Sequence, residues 1–398
     1  MRVLLVGSGG REHALAWSIS KSPKLTKLYA SPGSDAISEF AEIVSGDRPD
    51  VDLVIIGPEV PLAEGLADQL RGEGILVFGP NKDAARLESS KSFAKEFMVR
   101  HQIPTARSKT VNSLQEGKAA LAEFTNGVVV KADGLAAGKG VIVCATREEA
   151  EAALTAKPAE CLVLEEYLEG PEVSLLGLCD GKRFLALPTS SDHKRLLDGD
   201  RGPNTGGMGV IAPAPAWNEA MRARVESEII QPTLLGLAKD GLDYRGLLYI
   251  GLMLTPEGPK VLEYNCRFGD PETQAVLPLL QSDLLQALAA AAGGDLSGEE
   301  LRASGCAVTV VLASEGYPSK PISGRLISGL DLEELVFHAG TRNNGDHWIT
   351  NGGRVLGVTG LGETHAQARE RAYHAANKIN FDGRQMRSDI GAALPTPA

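Results

Sequence analysis

The sequence contains no run of lysine or arginine, no Cys-x-x-Cys pair and no apolar stretch long enough to cross a membrane. Each absence argues against a class of function. With 40 Lys and Arg against 51 Asp and Glu, the formal net charge is −11 with histidine neutral. A broad surface for nucleic acid or anionic lipid is therefore not expected, whereas a local basic pocket for a phosphorylated small molecule is compatible with that balance. The five cysteines, Cys144, Cys161, Cys179, Cys266 and Cys306, are widely spaced and odd in number. That suits reduced thiols better than a disulfide scaffold or a zinc site. The apolar run in the opening MRVLLVGSGG is too short for a signal segment or a membrane span. A cytoplasmic protein with neither a membrane nor a nucleic-acid partner is expected.

Two nucleotide signatures are also missing. KADGLAAGKG, residues 131–140, looks like a phosphate-binding P-loop, but Asp133 stands where the first glycine belongs, and Gly140 follows Lys139 where a hydroxyl residue is needed. The segment lies between two β-branched runs, VVVKAD and VIVCAT, and reads as a hairpin. GSGGREH fails the dinucleotide fingerprint because position 12 is Glu12, and the second strand ends in YASPG without an acidic residue for a ribose.

Glycine is what the chain has in excess, 45 of 398 residues, clustered in short loops. Clusters without a period point to backbone that approaches ligands closely. The length allows two or three domains. In the first hundred residues the strands RVLLVG, LYA, DLVIIG and ILVFG alternate with helices at 11–20 and 62–70, the pattern of a parallel α/β sheet with ligands at the strand ends. After HQIPT the strands come in neighbouring pairs. VVVKAD with GVIVCA, and CLVLEEYL with EVSLLGL and RFLALP, read as antiparallel α+β structure with a helix at 148–154. A long helix at 219–237 precedes another pair, GLLYIGLMLT and KVLEYNCRF. A polar stretch at 293–304 serves as a linker, and CAVTVVLAS, RVLGVTG and a helix at 364–377 form a small α/β tail.

Four stretches carry candidate chemistry. In KVLEYNCRFGDPE, strand alternation puts Glu263, Asn265 and Arg267 on one face and Leu262, Tyr264 and Cys266 on the other. Glu263 and Asn265 are hard oxygen donors suited to Mg2+, and Arg267 beside them suits a transferring phosphoryl group; the polar face of an exposed strand would show the same pattern. In GSGGREH, Gly9 and Gly10 open a helix whose free N–H groups could hold a phosphate with Arg11 adding charge, or they form a tight turn without a ligand. SDHKRLLDGDRGPNTGGMG places Asp192, His193 and Lys194 ahead of Gly206, Gly207, Met208 and Gly209, where backbone donors can approach an anion; solvated charges are the alternative. His193 has no His or Cys partner at metal spacing, which argues against zinc. LEEYLEGPEVS carries acids at 165, 166, 169 and 172, matching either a nucleoside-binding connection or a solvated acidic turn.

Together GSGGREHALAW, KADGLAAGKGVIV, SDHKRLLDGDRGPNTGGMG and EYNCRFGDPETQ resemble the phosphoribosylamine–glycine ligase family of purine biosynthesis, in order and from Met1 to about Gly391. That family belongs to the ATP-grasp superfamily. The resemblance implies an N-terminal parallel-sheet domain (1–90), a two-subdomain ATP-grasp core (91–292, with a lid at about 104–167) and a small C-terminal α/β domain (303–398). It implies ATP contacts from Lys91, Lys131, Gly138 and Gly140, adenine contacts from Glu165, Glu166, Tyr167 and Leu168, and ribose contacts from Glu172. Glu263 and Asn265 would bind Mg2+ or Mn2+. Arg267, Lys139 in the lid, Asp192 and Lys194 would act catalytically, with His193, Gly206, Gly207, Met208 and Gly209 holding glycine and its acyl phosphate. Gly9, Gly10, Arg11, Glu12, Pro58 and Glu59 would hold the phosphoribosylamine. A monomer acting on small-molecule substrates is expected; the alternatives are another ATP-grasp carboxylate–amine ligase or a non-catalytic nucleotide-binding protein. The chain departs from the family in lacking most of a helix between Ala36 and Val54 and a Gly-containing excursion between Leu154 and Cys161.

Overall fold

The computed structural model describes residues 1–135, 140–156 and 161–392. Its first sheet is parallel, with the opening strand Arg2–Gly7 between Lys27–Pro32 and Leu53–Ile56, and with Glu42–Ile43 and Leu76–Phe78 at the two edges. Alternation explains why both faces are apolar: Val3, Leu5, Leu53 and Ile55 point into one core cluster, and Leu4, Val54 and Ile56 into another. The strand order reverses direction beside Arg2–Gly7, so the loops after Arg2–Gly7 and after Leu53–Ile56 splay apart at a switch point, the place where open α/β sheets bind ligands. The helix expected at 62–70 is broken into Glu59–Glu64 and Leu66–Gly72, because Gly65 adopts φ +95°.

A second sheet is antiparallel, in the order Phe184–Ala186, Glu172–Cys179, Gly246–Thr255, Gly258–Asn265. Every residue of Gly246–Thr255 is buried. Leu247 and Tyr249 join the same cluster as Leu5 and Leu53, whereas Leu248, Ile250, Leu252 and Leu254 join the cluster of Val54 and Ile56. The first two sheets therefore share their cores. A third sheet, Ser108–Val111, Leu162–Glu166, Val128–Ala132, Val141–Cys144, has a separate core with Leu121, Ala150 and Leu154. The hairpin expected between VVVKAD and VIVCAT is present, Val128 pairing with Cys144 and Lys131 with Val141. Its tip, with Gly138 and Lys139, lies outside the described residues.

One expected pairing is corrected. CLVLEEYL does not pair with EVSLLGL: Leu162–Glu166 pairs with Ser108–Val111 and Val128–Ala132, whereas Glu172–Cys179 pairs in the second sheet. The five residues between them cross from one sheet to the other. The helix expected at 219–237 is continuous from Glu219 to Lys239 but widens to a π turn at Glu226–Ile230, just ahead of Pro232. A π turn there lets the helix continue past a residue without an N–H donor.

The last sheet runs Ser191–Asp192, Gly209–Ala212, Cys306–Ala313, Arg354–Gly362, Leu335–His338, antiparallel throughout, with helix His365–Ala376 packed on it. Its first two strands come from the middle of the chain, so the tail's sheet is built partly from the SDHK and GGMG segments. The tail also docks on the first helix, Gly10–Ile19. There the His13 Nδ1 accepts the His338 backbone N–H at 2.8 Å, and the two rings lie edge to face at 5.6 Å. Burial, and then His338, push His13 down to about 3, and burial pushes His338 down to about 4.

These two histidines are neutral in the fold and protonate readily once exposed. A folded pKa below the unfolded one means stability is complete above about pH 6.5 and is lost as pH falls toward the folded value. For His13 alone the loss between pH 6.5 and 5 should be on the order of 1–2 kcal/mol. His13→Gln, which keeps an acceptor for the His338 N–H but cannot ionise, should make the acid limb of a thermal-melt-versus-pH curve shallower. An unchanged acid limb would remove His13 from the account.

Candidate active site

A cavity of about 1060 Å3 opens where the first, second and third sheets and the tail's sheet meet. Its floor is the strand Gly258–Asn265. The register of this strand slips at one point: Leu252 faces Val261 and Gly251 faces Glu263, leaving Leu262 as an extra residue. Leu262 thereby turns toward the cavity with Glu263 and Asn265, which corrects its expected place on the opposite face. Leu262 packs against Ala106, Leu168 and Met253, an apolar bed beside the crossing segment 167–171. Tyr264 and Cys266 are buried in the core behind, as alternation requires.

Cations surround Glu263. Burial opposes its ionisation, but Lys194, Lys131, Lys91 and Arg267 outweigh that and hold its carboxyl below the ordinary range. The side-chain oxygen of Asn265 lies 3.3 Å from Arg267 Nη2. Arg267 is gripped from behind by Glu88, with Nη2 3.0 Å from a carboxylate oxygen, and Glu59 lies 3.5 Å from Nε. Glu88 also accepts the Cys266 backbone N–H at 2.7 Å. Burial raises the Glu88 carboxyl although Arg267 opposes it, and Arg267, despite its own burial, is held firmly charged by Glu88 and Glu59. Lys91 starts its helix with its backbone N–H on Asp133 at 2.6 Å and its ammonium on the Gly134 carbonyl at 2.8 Å. Burial, and then Lys131, lower its pKa although Glu263 raises it.

Opposite this bank, Lys194 pairs with Glu172, and Glu172, Glu263 and Asp192 outweigh burial to keep it charged. Among the described residues, Asp192 Oδ1 and His193 Nδ1 are buried without a hydrogen-bond partner. Burial and the neighbouring Glu272 push the Asp192 carboxyl well up. Glu272 itself accepts the Tyr249 hydroxyl at 2.9 Å. From the tail's sheet Arg354 donates to the Asp270 carboxylate at 2.9 Å and to the Gly206 carbonyl at 2.5 Å. From the first sheet's switch point come Arg11, bound to the Phe268 carbonyl at 3.1 Å, and Glu59.

Of the residues singled out in the sequence, Arg11, Glu59, Lys91, Lys131, Gly140, Glu165–Leu168, Glu172, Asp192–Lys194, Gly206, Glu263, Asn265 and Arg267 line this cavity. Gly9, Gly10, Glu12, Pro58, Gly207, Met208 and Gly209 do not line it. Glu12 is turned inward: it accepts the Gly9 N–H at 2.7 Å and pairs with Arg11 at 2.5 Å, so that N–H is already satisfied. It also occupies the space beside Gly57, where a Cβ would sit 2.2 Å from its carboxylate. At Gly10 a Cβ would meet the end of the Gln274 side chain at 2.7 Å and Ala339 at 3.2 Å, so close packing disfavours a side chain there. Met208 is wholly buried, and Gly209 packs on Ile390. Sequence reasoning passed over Lys95, Glu88, Tyr249, Glu272 and Arg354. Glu272 stood within the quoted GDPE, and Lys95 lies one helical turn after Lys91; nothing local marks Arg354.

Models of phosphoribosylglycinamide synthetase match the chain in three consecutive pieces: the N domain over residues 1–88, the ATP-grasp (A) domain over 89–273 and the C domain over 307–393. The phosphoribosylamine–glycine ligase of Mesorhizobium japonicum is 48% identical over 416 residues, covering 98% of both chains. That of Ralstonia nicotianae is 46% identical, covering 98% of this chain and 99% of its own. The crystal structure of the same ligase from Thermotoga maritima superposes with a TM-score of 0.87 at 37% identity, covering 98% and 100%. A biotin carboxylase from Campylobacter jejuni superposes at 0.72 with 14% identity over 97% of this chain and 92% of its own, which is a likeness of fold.

The two acids on Arg267 differ in burial, the Glu88 side chain being 8% exposed and that of Glu59 27%. Glu88→Leu should destabilise the protein by roughly 3–5 kcal/mol, because it leaves a buried guanidinium short of its partner and the Cys266 N–H without an acceptor. Glu59→Leu should cost about 1 kcal/mol. Chemical-denaturation midpoints of the two variants decide; equal losses would show that Arg267 is not anchored from Glu88.

Proposed function

The chain belongs to the phosphoribosylglycinamide synthetase family along its whole length, and on that premise we propose that it joins glycine to 5-phosphoribosylamine with ATP, yielding glycinamide ribonucleotide, ADP and phosphate. One observation supports this most: a single cavity holds a cationic bank, Lys91, Lys131 and Arg267, next to the ionised Glu263, and extends to Arg11 and Glu59 at the parallel sheet's switch point. A triphosphate, a small carboxylate and a sugar phosphate can meet there. Among the described residues no helix is long and apolar enough to cross a membrane, and no group of three or more His, Cys, Asp or Glu is placed to hold a metal.

ATP-grasp ligases use ATP with a divalent cation, and the residues here fit one. Glu263 and Asn265 offer two hard oxygens from one strand face, with Glu263 held ionised by its neighbours. That is a partial shell, to be completed by phosphate and water, which suits Mg2+ better than a softer ion. Bound there, the cation would neutralise charge on the phosphates.

The chain's own residues then position and stabilise. A carboxylate cannot be displaced by an amine in water because oxide is no leaving group. Glycine's carboxylate oxygen attacks the γ-phosphorus and ADP leaves; the ribosylamine nitrogen attacks the resulting acyl carbon, and phosphate leaves with release of a proton. Lys91 and Lys131 would hold the phosphates in line, and Arg267, fixed by Glu88, would stabilise the group in transfer. Leu168, Met253, Ala106 and Leu262 supply an apolar slot for adenine. Lys194 and Asp192 lie across the cavity, where glycine and its acyl phosphate would sit. Shielding that anhydride from water is the task of the hairpin that carries Lys131.

ADP release should require both glycine and phosphoribosylamine. ADP release with glycine replaced by another amino acid, or with the ribosylamine replaced by another amine, would redirect the assignment to a different carboxylate–amine ligase. Glu263→Gln, which keeps size but removes the charge, should lower turnover roughly 100-fold or more at ordinary Mg2+ with an unchanged thermal melt. Normal turnover would remove Glu263 from the site.

A further inference from the structure

In the cavity wall, Lys131 belongs to an ion cluster whose other two members, Glu165 and Lys95, the mechanism above does not use. The Glu165 carboxylate binds two ammonium groups, Lys95 at 3.0 Å through one oxygen and Lys131 at 2.9 Å through the other, and all three side chains are less than a tenth exposed. Lys95 also donates to the Thr105 hydroxyl at 2.8 Å and to the Ala106 carbonyl at 3.3 Å; Lys131 donates to the Leu262 carbonyl at 3.2 Å. The Thr105 hydroxyl in turn donates to the Val261 carbonyl at 2.7 Å. The cluster therefore ties helix Lys91–Arg100 and the third sheet to the strand that bears Glu263.

Charge counting gives the cluster a purpose. A lone Glu165–Lys131 pair would be neutral, and a phosphate approaching Lys131 would have to compete with a buried carboxylate for it. With Lys95 on the second oxygen the cluster carries one net positive charge, and the Glu165 charge is satisfied without Lys131. We infer that Lys95 is a positioning residue which, by neutralising Glu165, frees Lys131 for the phosphates of the nucleotide. This rests on the reading of the cavity as an ATP site. Lys95 sits at the cavity wall beside the apolar slot, its ammonium already held by Thr105, Ala106 and Glu165.

A specific signature follows. Lys95→Met leaves the slot intact but returns Lys131 to Glu165, so affinity should fall with phosphate content: roughly 10-fold to 100-fold for ATP, with a clear fall for ADP, but less than about twofold for adenosine. Lys95→Met/Glu165→Gln removes both members of the competing pair, buries fewer unpaired charges and should bring ATP affinity back to within about threefold of wild type. It carries the test if the single variant folds poorly.

The unmodified protein offers a third reading. Burial brings Lys95 down to about 8, against Glu165, which raises it; Lys131 lowers it, and Glu166 raises it further. ATP affinity should thus weaken as pH rises from 7.5 to 9, while adenosine affinity stays level. Calorimetric titration of the full chain with ATP, ADP and adenosine, Mg2+ present, measures all three. Equal losses for adenosine and ATP, a double variant that folds but stays weak toward ATP, or ATP affinity flat across that pH range would each overturn the inference. Wild-type protein that binds no ATP would overturn the functional reading on which it rests, and is distinguishable because it precedes any substitution.

Discussion

A single extra residue in the strand Gly258–Asn265 sets the geometry on which the cavity depends. Without the slip that frees Leu262, strict alternation would send Leu262 into the core and leave the apolar slot without its floor. With it, the Leu262 side chain meets Met253 and Leu168, its carbonyl meets Lys131, and the next residue, Glu263, still faces the cations. Slot and charge lie side by side on one strand. The partner strand is buried at every residue with its two faces in different cores, which fixes its own register, and the extra residue is accommodated in Gly258–Asn265.

The second constraint is electrostatic. Lys91, Lys95, Lys131, Lys194, Arg267 and Arg354 all line one cavity, and each has a carboxylate or carbonyl partner within the protein. The carboxylates differ in what they leave free. Glu88 and Glu165 are engaged through both oxygens; Glu263 is ionised and faces the cavity; Asp192 retains an oxygen without a partner among the described residues. Cations and carboxylates thus interleave along the cavity wall, and carboxylates shared between cations keep the buried cations paired.

How much of this was legible in the sequence depends on the range of the interaction. The parallel sheet, the hairpin at Val128–Cys144 and the polar face of Glu263, Asn265 and Arg267 follow from period-two patterns and glycine loops, which are local. The pairing of Leu162–Glu166 was misread because two adjacent apolar runs with a short connection imitate a hairpin, whereas the connection here crosses between sheets. Glu88 and Lys95 escaped notice because an acidic or basic residue on a helix looks like a solvated one until its partner, more than 60 residues away, is known. At Gly10 the sequence allows either a phosphate-holding helix start or a tight turn, and the crowding by Gln274 and Ala339 is a packing pressure toward glycine that no local pattern displays.

The same long-range logic makes the tail part of the site rather than an appendage. Strands Ser191–Asp192 and Gly209–Ala212, which frame the glycine-rich turn, are hydrogen-bonded into the tail's sheet. Arg354 and the Tyr317 hydroxyl hold that turn at the Gly206 carbonyl and N–H. The tail is in turn seated on the first helix through the neutral His13–His338 contact, and that helix begins at Gly10, beside Arg11 in the cavity wall. A displacement at this seat would therefore move the Arg11 end of the cavity and the Gly206 turn together. The first sheet, the second sheet and the tail share buried clusters and each supply residues to the cavity wall, so the cavity exists only once they have assembled.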